Sequence, residues 1–193
     1  IANYRVFAEK MDERIQYVMK NTVKRLEKVN AARMLAIVGR LPTDALANSL
    51  LKMIRDPAIT PDVKLYLFEG LGNVLAAVDP KDPAKGEIQD PDKLAEICKE
   101  LDKIITMTYD LPKAASTTPA YAEASRVIQF IRRAAIRALG QAKFSVVRNK
   151  MRDPVARPIW TLLRVVRHDT SIVPAFTETE QLEAMIGIFQ MRP

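Results

Sequence analysis

The sequence predicts an all-α fold, an α–α superhelix of about four to five irregular helical hairpins. Three observations predict it. The stretch Leu50–Leu75, LLKMIRDPAITPDVKLYLFEGLGNVL, reads as one helix, a turn on Asp56-Pro57, and a second helix closing on Leu71-Gly72. Two further segments align with the second helix on a glycine. Ile131–Gly140 is the nearer copy and Asn30–Gly39 the looser one. The glycines at 39, 72 and 140 are spaced 33 and 68 residues, the second close to twice 34, a period of stacked helical repeats. Finally, no segment reads as a confident strand. Ser171-Ile172-Val173 is too short, and only six glycines accompany 48% apolar residues.

Taken in order, Tyr4, Ala8, Met11, Ile15 and Val18 space out as a long amphipathic helix running toward Lys28. Ala31 to Leu41 is the next, stopped by Pro42. Thr43-Asp44 caps a helix to Arg55. There Asp56-Pro57 ends it, because proline lacks the donor and disfavours helix in the residue before it. Thr60 caps and Pro61 opens the following helix, whose Val63, Leu67, Leu71, Val74, Leu75 and Val78 share one face. Residues 79–92, broken by Pro80, Pro83, Gly86 and Pro91, form an exposed loop between two halves of a single domain spanning 1–193. Pro91 to Tyr109 is helical, with Leu94, Ile97, Cys98, Leu101, Ile104 and Ile105 on one side. Pro119 to Gly140 is the longest late helix. Shorter ones are expected at 144–152, 155–168 and 178–190, divided by Pro154 and Pro174. The turn Arg55-Asp56-Pro57 has an echo in Arg152-Asp153-Pro154, each with a proline four residues on. A further repeat copy is due near residue 106 but is not readable there.

These segments resemble the HEAT-repeat family of armadillo-type α-solenoids, whose inner helix commonly reads Val-Arg-x-x-Ala-x-x-Ala-Leu-Gly after an Asp-Pro-type turn. Ile131–Gly140 matches closely and Val63–Gly72 fairly. No aspartate turn directly precedes Ile131, Gly70 replaces the alanine before Leu71, and the N-terminal copy has Ala31 where the arginine would stand. The resemblance implies the superhelix and makes Arg132 a structural residue, bridging to a turn aspartate. It implies no activity, since one fold hosts many functions. HEAT-like scaffolds also occur among DNA-repair glycosylases and lyase-type proteins.

Composition bounds the chemistry. At 193 residues the chain can bury one good-sized core. Cys98 is the only cysteine, so no internal disulfide forms, which leans toward a reducing, cytoplasmic compartment. The chain starts at Ile1 without methionine, which leaves export after signal-peptide removal open. No apolar run reaches the roughly 18 residues of a membrane span. His168 is the only histidine, so a two-histidine metal site is excluded within one chain. There is no Gly-rich phosphate loop and no Gly-x-Ser-x-Gly. No catalytic residue, metal or cofactor is assigned, and the chain leans away from being an enzyme.

Charge supplies the candidate site. The net charge is +7. From Arg126 to His168 eleven Lys and Arg stand against Asp153 alone, while Asp79 to Asp102 holds eight acids and four lysines. The molecule is therefore expected to be polar end to end. On the late helix Ala124, Ile128, Ile131, Ala135 and Ala138 are expected inward, with Arg126, Arg133 and Arg137 opposite. On the next long helix Ile159, Leu163 and Val166 are expected inward, with Arg157, Thr161, Arg164 and His168 outward. If the two helices lie side by side, Arg126, Arg133, Arg137, Arg157, Arg164 and His168 build one basic face. Arginine forks suit carboxylates and phosphates. Trp160 is read as packing, and Met185 and Met191 as covering an apolar end of the stack, since terminal repeats must be capped or paired. The expected function is a non-catalytic scaffold that binds a protein partner through this face. The alternative is nucleic-acid backbone binding by the same face. The oligomeric state stays open.

Overall fold

Helices dominate because apolar residues recur at helical spacing almost everywhere, and prolines and capping residues set where each helix starts. A computed structural model describes residues 2–41, 43–78, 88, 90–109, 111, 118–148, 151 and 153–191, with side chains from Val6 onward. The described residues form eight helices: α1 Ala2–Asn21, α2 Arg25–Val38, α3 Asp44–Arg55, α4 Pro61–Ala77, α5 Pro91–Thr106, α6 Pro119–Gly140, α7 Pro158–Val166 and α8 Glu178–Gln190. Side-chain caps hold several starts. Thr43 accepts from the Leu46 amide, Asp90 from Asp92, and Thr118 from Tyr121. Thr177 and Glu180 form a full capping box on α8. Pro61, Pro91, Pro119 and Pro158 each occupy a first helical turn. Thr60 holds the N-cap position of α4, but its hydroxyl makes no cap bond.

The helices pack in two series. α2, α4, α6 and α8 touch successively, and so do α1, α3, α5 and α7; α1 also lies on α2, α3 on α4, α5 on α6 and α7 on α8. Four hairpins result, with one continuous apolar core running from Ala8 to Ala184. The repeat glycines mark where helices of the even series meet. A Cβ on Gly39 would stand 2.7 Å from the Gly70 carbonyl oxygen, one on Gly72 3.1 Å from Ala138 Cα, and one on Gly140 3.0 Å from Gly187 Cα. At Gly39 a side chain would force the backbones apart, and at Gly72 and Gly140 the facing backbone would have to give by a few tenths of an ångström.

Several expectations are corrected. The first helix does not run toward Lys28. It ends at Asn21, and the Thr22 hydroxyl, bonded to Glu27 and accepting from the Lys24 amide, starts α2 six residues before Ala31. Residue 106 closes α5, a helix of the odd series, so no glycine-type copy belongs there. The long spacing from Gly72 to Gly140 contains one hairpin, not two. The helix expected over 144–152 is absent from its described residues. There, Val147–Arg148 (β1) pairs antiparallel with Pro154–Ala156 (β2), Val147 opposite Ala156. β-Branched Val146 and Val147 favour that extended path. The Asp-Pro echo also fails. Pro57 turns the chain within a hairpin, whereas Pro154 opens β2 between hairpins. Of the 79–92 loop, residues 79–87 and 89 lie outside the described residues, while Ile88 is buried and Asp90 caps α5. Finally, the acidic and basic segments are not at opposite ends, because α5 packs directly on α6 and α7.

Candidate functional site

On α6 the positions 126, 130, 133 and 137 fall on one stripe by helical spacing. Arg126 and Phe130 are exposed on it. Arg133 and Arg137 both reach across to Glu183 of α8, Arg133 Nη2 lying 2.9 Å from Oε1. The Arg137 guanidinium first, and Arg133 after it, hold the Glu183 carboxyl below its ordinary range. Beside the stripe a groove of about 440 Å³ opens between α4 and α6, lined by Glu69, Asn73, Arg137 and Gln141 over Gly72 and Ala138. Two of the three predicted α6 arginines are thus ion-paired, and an aromatic ring stands among them. Phe130 is not among the residues predicted from the sequence. Its place at four residues from Arg126 was the signal.

Arg157 and Arg164 lie elsewhere. They line a cleft of about 290 Å³ between α5 and α7, with Lys99, Asp102, Trp160 and Thr161. Thr161 is buried rather than outward, and its hydroxyl donates to Asp102 Oδ1 at 2.5 Å. Trp160 is 52% exposed and forms part of the cleft wall rather than the core. One cause explains both corrections. The buried face of α7 runs through Pro158, Thr161, Leu162 and Val165, not Ile159, Leu163 and Val166. Those last three are only half-buried, and an apolar run on both sides leaves the phase unmarked. Arg164 is paired with Asp169 at 2.9 Å. Asp169 sits at about 2, held down first by the Ser171 hydroxyl and amide and then by Arg164. Arg157 and Lys99 make no ion pair among the described residues.

His168 closes α7 and belongs to neither cluster. Its φ of 54° is left-handed. Its amide bonds to the Val165 carbonyl and the Asp169 amide to that of Arg164, the crossed pair that ends a helix when the residue after the cap is left-handed. The ring meets Gln181. Glycine is usual at this position, so a histidine there carries no local sign of the left-handed cap. Cys98 is buried, and burial, with Asp102 adding to it, pushes its thiol up to about 12. Such a thiol is a poor nucleophile.

Arg132 is structural, as the resemblance implied, but its partner is not a turn aspartate. It is fully buried, donating from Nε to Glu180 Oε1 at 2.6 Å and from Nη2 to Oε2 at 2.9 Å. It also donates to the carbonyls of Pro174 and Ala175, and lies 4.4 Å from the Phe176 ring. Because α8 packs on α6, a glutamate of its capping box occupies the place an interhelix turn would have supplied.

The six predicted residues therefore separate into the α6 stripe (Arg126, Arg133, Arg137), the α5–α7 cleft (Arg157, Arg164) and a helix terminus (His168). Among the described residues no group of three or more His, Cys, Asp and Glu is placed to hold a metal, and no helix is long and apolar enough to cross a membrane. Comparison of the chain with protein-family models, with curated proteins and with solved structures finds no match.

Proposed function

We propose that the chain is a helical-repeat scaffold of the HEAT-like, α-solenoid kind, and that it binds a protein partner through the exposed stripe of α6 and the adjoining α4–α6 groove. The observation that carries this reading is the stripe itself. Phe130 stands exposed between Arg126 and Arg133, and Glu183 pairs with both Arg133 and Arg137, offsetting one of their two charges. Aromatic and arginine anchors side by side are the composition of protein-interface hot spots. A phosphate backbone would instead favour cations free of acids. The two parallel series of helices and the glycine contacts along the even series support the solenoid reading.

Site-specific photocrosslinking from position 130 tests it. A partner that crosslinks there and is lost in Phe130→Glu, while helical content is kept, supports the reading. A partner retained by Phe130→Glu overturns the assignment of the surface. One observation favours a second reading, nucleic-acid binding in the α5–α7 cleft, because exposed Trp160 stands with Arg157 and Lys99, which make no ion pair among the described residues. A ring beside cations is a stacking platform for single strands. Fluorescence anisotropy with a short oligonucleotide, with affinity falling steeply with salt and lost in Trp160→Ala, would select it.

A further inference from the structure

The two ends of the even series are unlike, and they complement each other. At one end α8 exposes Leu182, Met185, Ile186 and Phe189. Their spacing of three, four and seven residues makes one unbroken apolar stripe. Phe189 is 88% exposed, and a helix face of this kind is uncovered core. Ala184 and Gly187, on the other side, are buried, Gly187 against Gly140 of α6. At the other end, α1 and α2 enclose a groove of about 480 Å³ lined by Met11, Ile15, Val18, Ala31 and Met34 with Arg14 and Glu27 at its rim. A cavity of roughly 150 Å³ already takes a benzene ring, so the groove has room for Phe189. Its methionines can adapt to the shape of what enters.

We propose that the occupant of each end is a second copy of this chain, the α8 stripe of one molecule seating in the α1–α2 groove of the next. Two features of the structure choose this occupant. The first is continuity. Within the chain α2, α4, α6 and α8 already meet one after another, and a second molecule's α2 extends the same series beyond α8. The second is charge. On α8, Glu180 and Glu183 are held by arginines of α6, and the remaining charged side chain, Glu178, makes no ion pair among the described residues. On α1 and α2, Arg14, Lys20 and Lys28 are likewise without ion pairs among the described residues. An α8-to-α8 contact would instead offer no groove to either stripe. The contact joins two different surfaces, so each molecule holds one neighbour at each end, and association continues past a single pair into open chains or closed rings.

Sedimentation velocity of the 193-residue chain over a micromolar concentration series tests this. The expected result is a weight-average coefficient that rises past the dimer value. Phe189→Glu and Met34→Glu each leave one end intact, so each alone is expected to be monomeric, with association weakened at least roughly thirtyfold, as for loss of one hot-spot residue. Mixed together, they retain one working joint and form a 1:1 heterodimer that goes no further. A wild-type chain that stays monomeric throughout overturns the proposal. So does a mixture that stays monomeric, or a Phe189→Glu variant that still associates. Circular dichroism checks the fold. Should either substitution lower helicity, Leu182→Glu and Val18→Glu alter the same two surfaces and are read in the same way.

Discussion

Replacing Arg132 by methionine should be the most damaging single change in the C-terminal half. The guanidinium is wholly enclosed, and so is its partner, since the Glu180 side chain is 1% exposed. Methionine fills similar space but leaves the carboxylate buried without its counter-charge and takes the donors from the Pro174 and Ala175 carbonyls. Glu180 would keep only the Thr177 amide and hydroxyl, 2.7 and 2.9 Å from Oε2. Breaking one side of a buried pair costs about 3–5 kcal/mol. Against the ~5–15 kcal/mol of a typical domain this is a large fraction. For a chain of this size it lowers Tm by roughly 6–20 °C, at about 2–4 °C per kcal/mol. Adding Glu180→Gln removes the stranded charge, and glutamine still completes a capping box. The double variant should therefore be more stable than Arg132→Met alone. Urea unfolding followed by circular dichroism, run as a double-mutant cycle, measures both terms. A loss no larger than the ~0.5 kcal/mol of an ordinary surface substitution, or a double variant as weak as the single one, would refute the reasoning.

Three further outcomes are expected. Gly187→Ala places a methyl 2.7 Å from Gly140 Cα and should destabilise by about 1–3 kcal/mol in urea titration, partly offset by the ~1 kcal/mol that alanine gains in a helix; at Gly70 the nearest atom is the movable Leu50 Cδ2, so alanine there should cost less. His168→Gly should be neutral or stabilise by up to about 1 kcal/mol, and His168→Val should destabilise, because the position is left-handed; calorimetric melting checks the order. Glu183 has a lowered folded value, so its ion pairs contribute fully above the ordinary carboxyl value of 4.5 and are lost as pH falls through the folded value; the stability difference between wild type and Glu183→Gln should shrink over that acidic window in urea titrations at stepped pH.

The sequence carried most of the helical plan, because proline, capping residues and apolar spacing act locally. Asp44–Arg55, Pro119–Gly140 and Glu178–Gln190 begin and end where those signals stand. Where the plan failed, the deciding contact was distant or the local signal ambiguous. The 68-residue spacing admitted two repeats arithmetically. Only the packing of α5 on α6 shows that one hairpin and two long connections fill it. On α7, Ile159, Leu162, Leu163, Val165 and Val166 make the helix apolar on nearly every side. The inward face was then set by Thr161 meeting Asp102 across 59 residues, which no local pattern contains.

The site was less legible than the fold for the same reason. A run of arginine in sequence is a basic surface only if the acids that face it stay away, and acids arrive from other helices. Glu183 reaches Arg133 and Arg137 from 50 and 46 residues on, and Glu180 reaches Arg132 from 48. Both acids sit on α8, the helix whose opposite face is the bare stripe ending in Phe189. α8 is therefore fastened to α6 by three arginines while its far side meets no neighbour among the described residues. Weakening those ion pairs and covering that stripe act on one helix. A change such as Arg137→Ala, distant from Phe189 in sequence, should thus loosen α8 and weaken any contact made through its apolar face.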